Sequence, residues 1–152
     1  MAPAVKIGLL ALQGVQVVFL LLHDWVPLGR LSNLKAIRAS DPPGRLLVVT
    51  LLSALPFALV FGVCCAYWKA PHWPAWLETW LWYTYGAALL GTLFAWWGPY
   101  LFWQSPERAE RYRARFAGTM KFLPERNGFA PDALHVAYHL CIVGTVVLLT
   151  ML

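Results

Sequence analysis

Charge is what this chain has least of. Asp, Glu, Lys and Arg make up 12% of its 152 residues, where a soluble domain carries about 25%. Apolar residues make up 60% and the mean hydropathy is +0.58, so there are too few polar groups to cover a water-exposed surface. That shortage excludes a soluble globular domain, a disordered segment and a nucleic-acid module. Cysteine is also scarce, with Cys64 and Cys65 adjacent and Cys141 alone. Adjacent cysteines seldom bridge each other and none of this has zinc spacing, so the three read as small buried hydrophobes. Internal repeats and low-complexity segments are missing too. What remains is a single integral membrane domain over residues 1–152, all-α in class.

A spanning helix needs about 20 mostly apolar residues. Four stretches qualify: Val5 to Trp25, Leu46 to Trp68, Trp76 to Trp103 and Pro131 to Leu152. The first is followed by His23-Asp24-Trp25-Val26-Pro27 and not by a small-x-small cleavage site, so it reads as a retained helix. Basic residues then set the orientation. Arg30, Lys35, Arg38 and Arg45 lie between spans one and two, and Arg108, Arg111, Arg113, Arg115, Lys121 and Arg126 between spans three and four. Only Lys6 and Lys69 are left for the other face. The positive-inside bias predicts an up-down bundle of four transmembrane helices with both long loops cytoplasmic and both termini outside. Trp76, Trp80, Trp82, Tyr83 and Tyr85 at one end of span three, and Trp96, Trp97, Tyr100 and Trp103 at the other, fit two interfacial aromatic belts.

The cytoplasmic loops carry patterns of their own. Ser105-Pro106 is a helix start, and Ala109, Tyr112, Phe116 and Met120 then recur on one face while Arg108, Arg111 and Arg115 share another. This predicts a basic amphipathic helix over about 106–117, lying against anionic headgroups. Its functional alternative is a lid that binds a partner or a headgroup. Leu31, Leu34 and Ile37 repeat the pattern more weakly in the first loop, up to Asp41-Pro42-Pro43-Gly44.

Charge is absent from the mid-depth of spans one, two and four, which argues against a pump or a transporter of charged substrates. The deep polar groups are Gln13, Gln16, Thr50, Ser53, Thr92 and Thr145, and the two glutamines share a helix face and need partners inside the bundle. Ala87, Gly91 and Ala95 form a small-xxx-small stripe that lets another helix approach, in the same chain or in a second copy. Pro56 is expected to kink span two.

One constellation carries chemistry. His23 closes span one on the cytoplasmic side, and His135 and His139 open span four on that same side, four apart and so on one face. Asp24 adjoins His23, and Asp132 stands three residues before His135 where it could orient the ring. Trp96, Trp97 and Tyr100 reach the same level from span three, whereas His72 lies in the outer hairpin. These residues (His23, Trp96, Trp97, Tyr100, Asp132, His135 and His139) form the candidate ligand-binding set. His23, Asp24, His135 and His139 are the acid–base candidates if a reaction occurs. A metal or haem held by His23, His135 and His139 is a further alternative, and interfacial histidines that merely cap helix ends are the plain one. No cofactor is called for.

Taken together, His23-Asp24-Trp25-x-Pro27-x-Gly29, Trp96-Trp97-x-Pro99-Tyr100, Phe122-Leu123-Pro124-x-Arg126-x-Gly128 and Leu134-His135-x3-His139 resemble a family of small bacterial four-helix membrane proteins without assigned activity. The resemblance covers nearly the whole chain and, with the charge bias, implies a bacterial cytoplasmic membrane and periplasmic termini. Four-helix eicosanoid and glutathione enzymes of the membrane carry a basic motif at the start of their second span. Here Glu110-Arg111-x-Arg113 precedes the fourth, so that match is rejected. The sterol isomerase and sigma-2 receptor group offers only a distant analogy, because its pocket acids have no counterpart in these spans. The expected function is an integral membrane protein that binds a lipid or other hydrophobic small molecule within the bundle, or a small subunit of a membrane complex. The alternative is an enzyme acting on a lipid or isoprenoid at the histidine cluster. Expected partners are membrane lipids, with a homo-oligomer or membrane-complex partner open and nucleic acid excluded.

Overall fold

A computed structural model of the chain describes residues 2–152. Every regular element among the described residues is a helix, with one isolated bridge between Arg126 and Phe129. The α-helices are α1 (Pro3–Leu22), α2 (Leu34–Ser40), α3 (Pro43–Ala66), α4 (Ala75–Thr92), α5 (Gly98–Leu101), α6 (Pro106–Arg115) and α7 (Ala133–Leu149), with a 3-10 turn over Gly29–Leu31 before α2. A π turn over Leu93–Trp97 joins α4 to α5, so the helical backbone is unbroken from Ala75 to Leu101. At 1.5 Å per residue that rod is about 40 Å long.

Local chemistry explains most helix starts. Pro3, Pro43 and Pro106 stand in first turns, where a missing N–H costs nothing. Ser105 Oγ accepts from Arg108 N at 3.3 Å, and Asp132 Oδ1 accepts from Leu134 N and His135 N, each at 3.1 Å. The helix expected over 106–117 ends at Arg115, and Gly118 beyond it takes φ +72. The fainter pattern in the first loop is α2, capped by Asn33 Oδ1 on Ala36 N at 3.1 Å.

α1 packs against α3 and α7, and α4 packs against the same two, so four long helices close a ring. Leu9, Val60, Leu77, Leu81, Tyr85 and Leu149 fill its centre. The α1–α7 contact is close because glycine permits it. A Cβ on Gly8 would stand 2.9 Å from Leu148, and one on Gly144 would stand 3.3 Å from Leu12. Gln16 finds the interior partner expected of it, its Nε2 donating to Thr145 Oγ1 of α7 at 2.8 Å. The Gln13 amide lies beside the Cys64 thiol without a well-formed hydrogen bond. The Ala87/Gly91/Ala95 stripe meets no helix of this chain at Gly91, where a Cβ would point into open space.

Two helices are long and apolar enough to cross a membrane: α1, with mean hydropathy 2.1, and α3, with 2.5. Only 28% and 22% of those apolar windows are buried inside the protein, so most of their apolar surface faces outward. α7 is as apolar but has 17 residues. Lys6, one of the two basic residues left for the outer side, is buried. Its Nζ donates to Trp68 O at 3.1 Å and Ala70 O at 2.5 Å and sits over the rings of Trp68 and Trp73, so it serves the carbonyls at the end of α3.

The opposite end of the ring wears a cap made by both basic loops. α2 packs on α6, and Asn33 Nδ2 donates to Ala117 O at 2.7 Å. Met120 N donates to Arg30 O at 2.7 Å, while Met120 O accepts from Ala133 N at 2.8 Å at the start of α7. Ala109 and Phe116, on the apolar face expected to lie against headgroups, are buried. Phe116 and Tyr112 pack on Trp96, and Tyr112 on Phe129. The helix buries that face on the protein because the end of the ring already offers an aromatic floor.

Candidate functional site

The cluster under this cap begins with a proline. Pro99 has no N–H to give the carbonyl one turn back, that of Ala95, and its ring crowds the same oxygen. The helix answers by widening, with Gly98 N bonding Leu93 O five residues back. A Cβ on Gly98 would lie 3.1 Å from Leu93 O, so the turn suits glycine there. The released Ala95 oxygen accepts from Arg108 Nη2 at 2.7 Å and from Tyr112 Oη at 3.3 Å, both on α6. One backbone defect thus docks the cap and turns Trp96 toward α7.

Trp96 stacks on His135 with ring centroids 4.4 Å apart and an interplanar angle of 24°. On its other side His135 meets Phe116 at 5.1 Å and His23 at 5.4 Å, both edge-on. Its Nδ1 is 2.7 Å from Asp132 Oδ2, whose second oxygen caps α7, so one buried carboxylate sets both the helix start and the ring. His23 stacks on Phe19 at 4.3 Å, and its Nδ1 is 2.9 Å from Phe19 O, an acceptor, so Nδ1 is the nitrogen that carries a proton there. Its Nε2 is 3.4 Å from Asp24 Oδ1. Asp24 is held in turn by Arg115 Nη2 at 2.9 Å, and the other nitrogen of that guanidinium binds Asp41 at the end of α2. Arg45 reaches the same Asp41 at 3.4 Å.

His23 and Asp132 stand just beyond the ends of their helices. Burial, with His135 and Arg115 alongside, holds the His23 imidazole below its ordinary value against the pull of Asp24 and the Phe19 carbonyl. Burial pushes the Asp132 carboxyl up, but the hydrogen bonds from the His135 ring and from His135 N and Leu134 N outweigh it and leave it below the usual range.

The candidates named from sequence are only partly gathered. His23, Asp24, Trp96, Asp132 and His135 form one connected cluster. His139 lies deeper, 6.4 Å from His135 between Trp96 and Trp97, and its Nδ1 has no hydrogen-bond partner. Tyr100 stands apart. Its hydroxyl donates to Pro124 O at 2.9 Å and its ring meets Phe129, so it fastens the loop after α6. Asn127 completes that fastening, with Nδ2 donating to Pro99 O and Tyr100 O at 3.1 and 3.0 Å. Among the described residues no three His, Cys, Asp or Glu side chains are grouped as a metal ion would require, so His23, His135 and His139 do not make a metal centre here. Sequence reasoning missed Arg115 and Asp41 as members of the cluster, since nothing local ties them to residues 91 and 74 positions away.

His23, Asp24, Asp132 and His135 share with Phe116 and Ile37 a void of about 10 Å³, which is room for about one water molecule. A wider cavity of about 200 Å³ opens beside it, walled by Trp25, Arg38, Pro43 and Leu46. Comparison with known proteins finds no matching family model, curated protein or solved structure.

Proposed function

We propose that the chain is a non-catalytic integral membrane protein. Its four ring helices span a bacterial cytoplasmic membrane as an up-down bundle, with termini periplasmic and the basic cap cytoplasmic, and it binds lipid. The observation that carries this reading is the outward apolar surface. Leu47, Val48, Leu51, Leu52, Leu55 and Leu59 are exposed along α3, and Ile7, Val15, Val18 and Leu22 along α1. A water-soluble monomer rarely exposes so large a contiguous apolar patch. The rod from Ala75 to Leu101 exceeds the roughly 30 Å hydrocarbon core. Tyr85 and Tyr100, expected in the aromatic belts, are buried in the protein. The aromatics left exposed at its ends, Trp76, Trp80, Trp82 and Tyr83 at one and Phe102 and Trp103 at the other, suit headgroup depth. Alkaline carbonate extraction of expressing membranes tests it. The chain stays with the pellet and leaves only with detergent; release by carbonate contradicts the reading.

The histidine cluster then has a mechanical role. It joins the end of α1 to the cap through Asp24 and Arg115 and the start of α7 to it through the His135 ring against Phe116, and its groups are engaged with one another around a void too small for a substrate. The paired His135 and Asp132 favour a second reading, an enzyme acting on a lipid or isoprenoid with His135 as base. That reading requires α6 to lift away. The same chain purified with Arg115 replaced, which loosens α6 and lets it open more often, separates the two: turnover of an isoprenoid or phospholipid mixture supports the enzyme, and none supports the closure.

A further inference from the structure

The cavity between α1, α2 and α3 has a composition that the cluster beside it lacks. Three of its walls are apolar: Trp25, Pro43 and Leu46. Trp25 is held in place, because its Nε1 donates to Thr50 Oγ1 of α3 at 3.0 Å. The fourth wall is Arg38, exposed on α2, and it makes no ion pair or hydrogen bond with the described residues. The neighbouring carboxylates are already taken. Asp24 is held by Arg115, and Asp41 by Arg115 and Arg45. A guanidinium without an acid, set against an apolar hollow, is complementary to an anion that carries an apolar body.

The place and the size narrow the occupant. The cavity lies where α1 ends and α3 begins, with the positive pole of the α3 dipole beside it. Leu21 and Leu22 on α1 and Leu47 and Leu51 on α3 are exposed on the turns that lead away from it. Its volume of about 200 Å³ falls below the roughly 300–1,000 Å³ of pockets that enclose whole small molecules. It accommodates a phosphodiester headgroup while acyl chains stay outside along those leucines. A free phosphate ion would leave the apolar walls unused.

We infer that this cavity is a binding site for one anionic phospholipid of the leaflet on the capped side, its phosphate paired with Arg38 and its glycerol region against Trp25, Pro43 and Leu46. The inference rests on the membrane reading above and adds the ligand class and the residue that selects it.

Native mass spectrometry of the detergent-purified chain tests it, with dioleoyl phosphatidylglycerol or dioleoyl phosphatidylcholine added and inorganic phosphate as competitor. One phosphatidylglycerol per chain is retained in preference to phosphatidylcholine. Arg38→Gln weakens that retention about tenfold, and excess phosphate does not displace the lipid. Arg111→Gln, on the exposed face of α6, leaves it unchanged. Equal retention of the two lipids, retention by Arg38→Gln as in the parent chain, an equal loss in Arg111→Gln, or displacement by phosphate alone overturns the assignment. Carbonate extraction run in parallel separates the failures. A chain that resists extraction but shows no Arg38 dependence loses this site and keeps the membrane reading.

Discussion

Replacing Arg115 by alanine is expected to loosen the cap while leaving the ring intact. The guanidinium holds Asp24 and Asp41, whose side chains are only 7% and 17% exposed, and is itself 24% exposed. Removing one member of a buried ion pair costs about 3–5 kcal/mol because a stranded charge is left behind. Two features moderate that figure here: partial solvent access to the arginine, and the reach of Arg45 to Asp41. The expected loss is therefore about 2–3 kcal/mol, confined to the units that Arg115 ties together. Hydrogen exchange in detergent or nanodiscs reads it directly. Amides of α2 and α6 exchange about 30- to 150-fold faster, while those around Gln13–Gln16 and Cys141–Thr145 keep their protection. The double variant Arg115→Ala/Asp24→Asn recovers part of the loss, since no anion is then stranded beside His23. Exchange unchanged in α2, raised evenly through all helices, or worse in the double variant refutes the reasoning.

Other perturbations probe the same assembly. Asp132→Ala removes a helix cap and the partner of His135 together, and a cost of about 2–4 kcal/mol shows as a lower melting temperature in detergent. Gly128 has φ +83 and a Cβ there would stand 2.9 Å from Ala109 Cβ, so Gly128→Ala costs about 1–3 kcal/mol. Gly62→Ala, where α3 has open space, is neutral or gains up to about 1 kcal/mol in the same measurement. Acidification loosens the cap. His23 is held below 6.5 in the fold, so its neutral form contributes fully above that pH, and the contribution is lost as pH falls through 6.5 towards the folded value. Asp132, held below 3.8, adds a second loss only at lower pH. Exchange in α2 and α6, corrected for intrinsic rates, rises between about pH 7.5 and about pH 5.5, and His23→Phe flattens that rise.

The apolar runs were enough to place the long helices, because burial of apolar surface and backbone pairing leave few other arrangements for them. Ser105-Pro106 and Asp132 marked helix starts through local capping chemistry, and the i, i+4 spacing of His135 and His139 put both on one face. That His23 would meet His135 followed from the packing of α1 on α7. The cap was less legible. The amphipathic face of α6 was visible, but whether it met lipid or protein depended on Trp96 and Phe129, far along the chain. Arg115 read as one of several surface arginines, since its acids belong to other loops. The π turn did leave a signal, Gly98-Pro99 inside an apolar helix, which strips Ala95 O of its donor. Lys6 gave none, because the carbonyls it serves exist only once α3 has ended beside α1.

The central claim is that the basic cap and the α3–α4 hairpin lie on opposite sides of a membrane. Impermeant thiol labelling tests it on a chain with Cys64, Cys65 and Cys141 replaced by alanine and single cysteines returned as Lys69→Cys, Lys35→Cys or Arg111→Cys, all at exposed positions. In intact bacterial cells only Lys69→Cys is expected to label, and in inverted inner-membrane vesicles only Lys35→Cys and Arg111→Cys. Labelling of all three from one side contradicts the account.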